Sequence, residues 1–503
     1  MSDPSRLTTV HAPRAVALAA ILVLAAAGLV GAGAGVGAGV APAGATEPTT
    51  TTATDVHGLY TRAAQLSGPV TVGHVVEPLS ANPPGLAAHG YVEQEYFASG
   101  TASTFRATAS PSDGRWSIVP TTSAFYRTRI LVRRPSDPAH FNGTVVVEWM
   151  NVSAGESAPD WDYLNPGLMD AGDAYVGVSA QALGVDGGKA ILSTGASGGL
   201  VGDEPARYGT LIHPGDQYAL DMFAQIGQAL RAPHPAALGG LHPRHVVAVG
   251  ESQSAFYLTT FADALQPRAH TFDGIFIHSR GGGGAPLDGS SIGSSATSAG
   301  LRIRTDLTVP VFMFETQTDL IALGYASAQQ PNTRLIRTWE VAGTSHADAY
   351  EVGAALSLLG CTTPINDGPQ HEVAQAAFAA FIRWVDHGVA PPSPPPFRLS
   401  STDPATLALD AHGNVIGGVR TPAVNVPIST LSGAAPAGTS ELCSLFGQST
   451  PFSAATLAAL YHSQSGYLSA YTSSLDQAIK AGYILPSSRA ELLARAQQVA
   501  IPS

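Results

Sequence analysis

Ser252 lies in Gly250-Glu251-Ser252-Gln253-Ser254, between the apolar run VVAV and a helical pattern, QSAFYLTTFADAL, over 253–265. A sharp strand-to-helix turn at that point would push the hydroxyl out above a sheet edge. Such a turn tolerates only small residues two before and two after the serine, and Gly250 and Ser254 qualify. A serine hydroxyl is a poor nucleophile near neutral pH, so this chemistry needs a base within hydrogen-bond reach. His346, in EVAGTSHAD directly after the last predicted strand, is the candidate base. The candidate acids are Glu315, at the end of VPVFMFE, and Asp319, four residues further on. An orienting carboxylate belongs in the loop beyond the strand, which favours Asp319. A tetrahedral intermediate also needs N–H donors where its charge develops. The amide of Gln253 is one candidate, and Asn151, Val152 or Ser153, in MNVSAG, supplies the other.

These residues need a rigid frame. GTVVVEWMNV (143–152), AYVGVSAQ (174–181), HVVAVGES (245–252), FDGIFIHS (272–279), VPVFMFE (309–315) and RLIRTWEV (334–341) are short, nearly continuous apolar runs. Such runs suit strands buried on both faces. Helical patterns at 216–231, 253–265 and 371–388 separate several of them. The alternation predicts an α/β chain with a mostly parallel, doubly wound sheet, the architecture of an α/β-hydrolase fold. YVEQEYF (91–97) and AFYRTRILVRR (124–134) predict antiparallel strands on its N-terminal side. Residues 182–215 and 281–304 are glycine-rich insertions after strands. PPSPPP (391–396) closes the last core helix. The extension 391–503 is expected to pack on the core, with extended chain over 397–430 and two helices over 453–499.

Arg6 and Arg14 precede an uncharged stretch that begins AVALAAILVLAAAGLV and ends Ala43-Gly44-Ala45. This predicts a signal peptide over 1–45, a flexible linker over 46–67 and the α/β domain over 68–503. The mature chain is then secreted or held in the cell envelope without a stable membrane span; an uncleaved signal anchor is the alternative. Export gives Cys361 and Cys443 an oxidising setting in which they could pair, the alternative being two buried thiols. A net charge of −12 without a Lys/Arg cluster argues against a nucleic-acid partner. No zinc-ligand spacing occurs, and no metal or organic cofactor is expected.

VVVEWMNVSAG, VGESQSA, FDGIFIHSRG, WEVAGTSHAD, CTTPIN with the following WVDHGVAPP, and GGVRTP together resemble the bacterial "alpha/beta hydrolase domain-containing" proteins. The resemblance runs from about residue 68 to the C-terminus. It implies a serine hydrolase with Ser252 and His346 at the matching positions and Ser254 normal for the group. Relatives often carry Glu where this chain has Gln317, a departure that leaves Asp319 the better acid here. The resulting expectation is ester hydrolysis through an acyl-enzyme. The alternatives are a catalytically silent binding protein on the same fold, or acyl transfer by the same residues. Loops 182–215 and 281–304 carry little charge, so the expected substrate is a small or lipid-like neutral ester. Arg280, the cation directly after FDGIFIHS, is expected to form a structural ion pair and not a carboxylate clamp.

Overall fold

The computed structural model describes residues 62–79, 85–192, 196–292, 300–353 and 360–502. The predicted signal peptide and most of the linker lie outside the described residues. Among the described residues the main sheet has nine strands: β1 (Gln65–Ser67), β2 (Tyr91–Ala109), β3 (Ser117–Pro135), β4 (Thr144–Trp149), β5 (Ala174–Val178), β6 (His245–Glu251), β7 (Gly274–His278), β8 (Val311–Glu315) and β9 (Ile336–Glu340). Their order across the sheet is β1-β2-β3-β5-β4-β6-β7-β8-β9. Pairing is antiparallel from β1 through β3 to β5 and parallel from there to β9. This is an α/β-hydrolase fold with antiparallel N-terminal strands.

The parallel strands are apolar without a break because the sheet is covered on both faces. Val145, Val147 and Trp149 of β4 join one core cluster while Val146 joins the other. In β8, Val311 and Met313 enter the first cluster and Phe312 and Phe314 the second. Alternate side chains of a strand point to opposite faces, so each strand feeds both cores. Helices α1 (Pro159–Ala171) and α6 (Gln370–His387) cover the face carrying Val146 and Phe312, and α2 (Ala219–Leu230) and α3 (Gln253–Thr260) the other. Trp149 stacks on Tyr257 of α3 at 4.6 Å, tying the helix that follows Ser252 to the central strand. The short helices between α3 and α6 include α4 (Gln317–Ile321) and α5 (Ala349–Val352).

The extension docks on the β9 edge. Val419 N donates to Glu340 O at 2.7 Å, Ala342 N donates to Val419 O at 3.0 Å, and Trp339 Nε1 donates to Pro392 O at 2.9 Å. Covering an edge strand this way satisfies its free backbone groups. The extension continues through α7 (Glu441–Leu445), α8 (Ala454–Tyr461), α9 (Gln464–Ala481) and α10 (Arg489–Gln497). The two helices expected over 453–499 are thus three. The unforeseen break is at His462, in the left-handed conformation, and the foreseen one is at Gly482. Cys361 and Cys443 are joined in a disulfide that ties α7 to the segment following α5. Among the described residues no helix is long and apolar enough to cross a membrane.

Candidate active site

Strand β6 ends at Glu251 and α3 starts at Gln253, so the whole reversal falls on Ser252, at φ 57° and ψ −118°. A non-glycine residue with positive φ costs about 1–3 kcal/mol and persists only where its surroundings over-determine it. Here Ser252 N donates to His278 O at 3.0 Å while α3 fixes the other side. A Cβ on Gly250 would meet Ser254 Cβ and Leu258 Cδ1 at 3.0 Å each, which explains the small residues flanking the turn.

His346 is carried by the loop after β9, and its neighbours pin that loop. Thr344 Oγ1 donates to Val341 O at 2.7 Å, and Ser345 Oγ donates to Ala347 O at 2.6 Å. His346 Nε2 lies 2.7 Å from Ser252 Oγ, and Nδ1 lies 2.6 Å from Asp319 Oδ1. Asp319 is fully buried in α4 and caps its own helix. Its Oδ2 accepts from Thr316 N and Thr316 Oγ1, both at 2.7 Å. Burial pushes the Asp319 carboxyl up, but the neighbouring His346 and the Thr316 donors outweigh this and hold it below the usual carboxylate range. An ionised Asp319 can only accept, so Nδ1 carries the imidazole proton and Nε2 is left to accept from the serine.

The other proposed acid, Glu315, is elsewhere. It is fully buried, neither oxygen has a hydrogen-bond partner, and burial together with Asp319 pushes its carboxyl well up. Gln317 points away from the histidine too, its Oε1 accepting from Gly433 N at 2.8 Å.

Gln253 N, at the first position of α3, has no intrahelical acceptor and adjoins Ser252. The loop after β4 differs from expectation. Asn151 N donates to Ser157 O at 2.9 Å in a local bridge, and Ser153 N donates to Asn151 Oδ1 at 2.7 Å. Both amides are thereby committed to holding the loop, which removes Asn151 from the oxyanion donors. Val152 N donates to the Gln253 side-chain Oε1 at 3.2 Å, an acceptor that can swing aside.

A cavity of about 130 Å³ opens beside Ser252 and His346. Leu192 of the first insertion lines it, but no described residue of 281–304 does. Leu442, Leu445 and Phe446 of the extension form one apolar wall, and Leu79, Leu192 and Val352 also line the cavity. Ala347 N donates to Leu445 O at 3.1 Å, and Asn366 N donates to Phe446 O at 2.9 Å, which stitches that wall to the histidine loop. Glu251, Glu351 and Asp162 also line the cavity. Arg280 does not reach it. Its buried guanidinium donates to Leu301 O and, at 3.1 Å, to Gly281 O, and lies over the Tyr325 ring. Among the described residues no carboxylate lies within ion-pairing distance of Arg280, so backbone carbonyls replace the expected ion pair.

The family described as "Alpha/beta hydrolase domain" matches residues 66–494. The chain belongs to this family. Comparison with the curated proteins found no match. Solved structures with a similar fold include an a/b serine hydrolase without lid from Xanthomonas campestris, at 11% identity over 52% of this chain and 91% of that one, with a TM-score of 0.26. A lipase/esterase from Lactobacillus plantarum shares 13% identity over 45% and 86%, with a TM-score of 0.29. A glucuronoyl esterase from Solibacter usitatus shares 10% identity over 59% and 87%, with a TM-score of 0.27. At such distances these structures carry no argument about the substrate of this alpha/beta hydrolase.

Sequence reasoning missed three parts of the hydrolase site. Thr316, which holds Asp319, was readable as the start of a T-x-x-D capping pattern. Glu251 sits in the variable position of the serine motif, where its burial is a tertiary property. The wall residues of α7 lie far along the chain from His346 and carry no local signal.

Proposed function

We propose that this chain is an exported serine hydrolase that cleaves carboxylic esters through an acyl-enzyme. The observation that carries the reading is the unbroken hydrogen-bond chain from Ser252 Oγ through His346 to Asp319, starting at a strained strand-to-helix turn. In the first half-reaction Ser252 Oγ attacks the ester carbonyl carbon and its proton passes to His346 Nε2. The imidazolium is balanced by Asp319, and the oxyanion meets the Gln253 amide, joined by Val152 N once the Gln253 side chain swings away. The carbon–oxygen bond to the alcohol then breaks, the alcohol leaving with the proton from His346. Water repeats the sequence on the acyl-enzyme and restores Ser252. The predicted signal segment and the paired cysteines support work in an oxidising compartment.

The test is labelling of the signal-free protein with a fluorophosphonate probe, alongside hydrolysis of p-nitrophenyl esters. We expect the parent to label and turn over, and Ser252→Ala to lose both, with turnover reduced on the order of 10⁶-fold. A Ser252→Ala variant that labels and hydrolyses like the parent would end this reading.

A further inference from the structure

The cavity beside Ser252 has an unusual charge balance for an ester pocket. Glu251, Glu351 and Asp162 line it, and among the described residues no lysine or arginine does. More carboxyls stand behind them. Asp160 comes from α1, Glu148 from β4, Asp319 from α4, and Asp348 from the residue that caps α5. The facing bases are His278, which bonds Asp160 Oδ1 at 2.9 Å, and His346. Tyr163 OH donates to Glu351 Oε2 at 3.4 Å.

A second observation points into the cavity. Glu251 is only 4% exposed, and its Oε1 accepts no hydrogen bond. His346 Nε2 lies 3.5 Å away, but it carries no proton to give while it accepts from Ser252 Oγ. The other oxygen meets only the Asn151 amide group, at 3.4 Å. A largely buried carboxyl with one oxygen unbonded and open to a cavity is placed for a ligand to supply the missing partner.

We propose, resting on the ester-hydrolase reading, that this pocket receives the ammonium end of an ester bearing a protonated primary amine on an apolar chain. Glu251, Glu351 and Asp162 accept its N–H bonds, and Leu442, Leu445 and Phe446 cover the alkyl chain. This replaces the uncharged ester suggested by loop composition. A quaternary ammonium fits less well, because it has no N–H to give and prefers aromatic faces. Phe446 is the one aromatic carbocycle lining the cavity among the described residues. Anionic esters meet the same carboxyls with the wrong sign.

Proton linkage sharpens the expectation. Burial, then repulsion from Glu351, Asp160, Asp319 and Glu148, pushes the Glu251 carboxyl well up. Burial, Asp348 and Asp162 raise Glu351 to about 8. An entering ammonium must displace such a proton, so preference for the amine should increase as the pH rises towards 8 while the amine itself stays charged.

The experiment compares isosteric pairs on the parent protein: methyl 6-aminohexanoate against methyl heptanoate, and 6-aminohexyl acetate against heptyl acetate. We expect kcat/KM to favour the amine by about tenfold or more in at least one pair, as a charge-assisted hydrogen bond allows. In Glu351→Gln, or Asp162→Asn should the first fail to fold, that ratio should fall towards one. Because both esters meet the same variant, a general loss of activity cancels. Calorimetry of hexylammonium against hexanol on Ser252→Ala tests the pocket without turnover, and binding of the ammonium alone is expected. Hydrolysis of neutral esters with no amine preference, or no hexylammonium binding, overturns the inference and leaves the esterase reading standing. Hexylammonium binding to a protein that cleaves no ester and takes no probe overturns the esterase reading instead.

Discussion

Asp319→Asn changes one atom, and the hydrogen bonds around it dictate the consequence. The Oδ2 position faces the Thr316 N–H, which can only donate, and the Thr316 hydroxyl at 2.7 Å. An amide NH2 cannot sit against that backbone donor, so the asparagine must turn its carbonyl oxygen to Thr316 and its NH2 to His346 Nδ1. Nδ1 then becomes the acceptor and the imidazole proton moves to Nε2, 2.7 Å from Ser252 Oγ. With a proton already on Nε2, the histidine cannot take the serine proton. Fixing the wrong tautomer in this way costs about 10⁴-fold in kcat, or about 5.5 kcal/mol of barrier. KM should move little, since Asp319 is fully buried and does not line the cavity. Steady-state hydrolysis of a p-nitrophenyl ester across pH measures this, with circular dichroism to verify folding. Glu315→Gln is the control, expected to leave kcat nearly unchanged because Glu315 makes no bond to the histidine. A folded Asp319→Asn variant that keeps a tenth of the parent kcat, or a Glu315→Gln variant that loses more, would refute the tautomer argument.

Two further outcomes are expected. The disulfide closes a loop with a sequence separation of 82 residues, so the double variant Cys361→Ala/Cys443→Ala should lose up to about 4.5 kcal/mol by chain entropy. Its KM should rise more than its kcat changes, because Leu442 and Leu445 belong to the tethered helix; a lower Tm with unchanged KM would show that the wall does not depend on the bridge. Burial raises the Asp173 carboxyl from 3.8 to about 7, against the hydrogen bonds of Asn142 and Thr144. The folded state therefore holds this proton more tightly than the unfolded chain, and stability is lost as pH rises from about 4 towards 7, then levels off. Asp173→Asn should remove that loss, so the Tm difference between variant and parent, by scanning calorimetry, should grow in favour of the variant from about pH 5 to pH 8. A difference independent of pH would refute the assignment.

The sheet was legible because its signal is local and doubled. A strand such as β8 must satisfy two cores at once, so Val311 to Phe314 are all apolar and the run stands out from its surroundings. The positions of Ser252, Asp319 and His346 follow from the same frame, since each leaves the C-terminal end of a parallel strand, where side chains from distant segments converge. The rest of the site depends on contacts the chain makes only after folding. Which amide after β4 is free depends on a bridge between Asn151 and Ser157, and which partners hold Arg280 depends on where Leu301 and Gly281 place their carbonyls. Glu251 shows the limit most clearly. As a letter between Gly250 and Ser252 it is any exposed residue of a turn. In the fold it is the last residue of β6, enclosed by α1 and the histidine loop, with one oxygen facing the cavity and no donor to meet it. Its place at the end of a strand covered on both faces turns this carboxyl inward. A polar residue at the buried end of an otherwise apolar strand, one position before a nucleophile, is therefore a sequence feature with a physical meaning: it marks a pocket whose ligand is expected to supply the missing hydrogen bond.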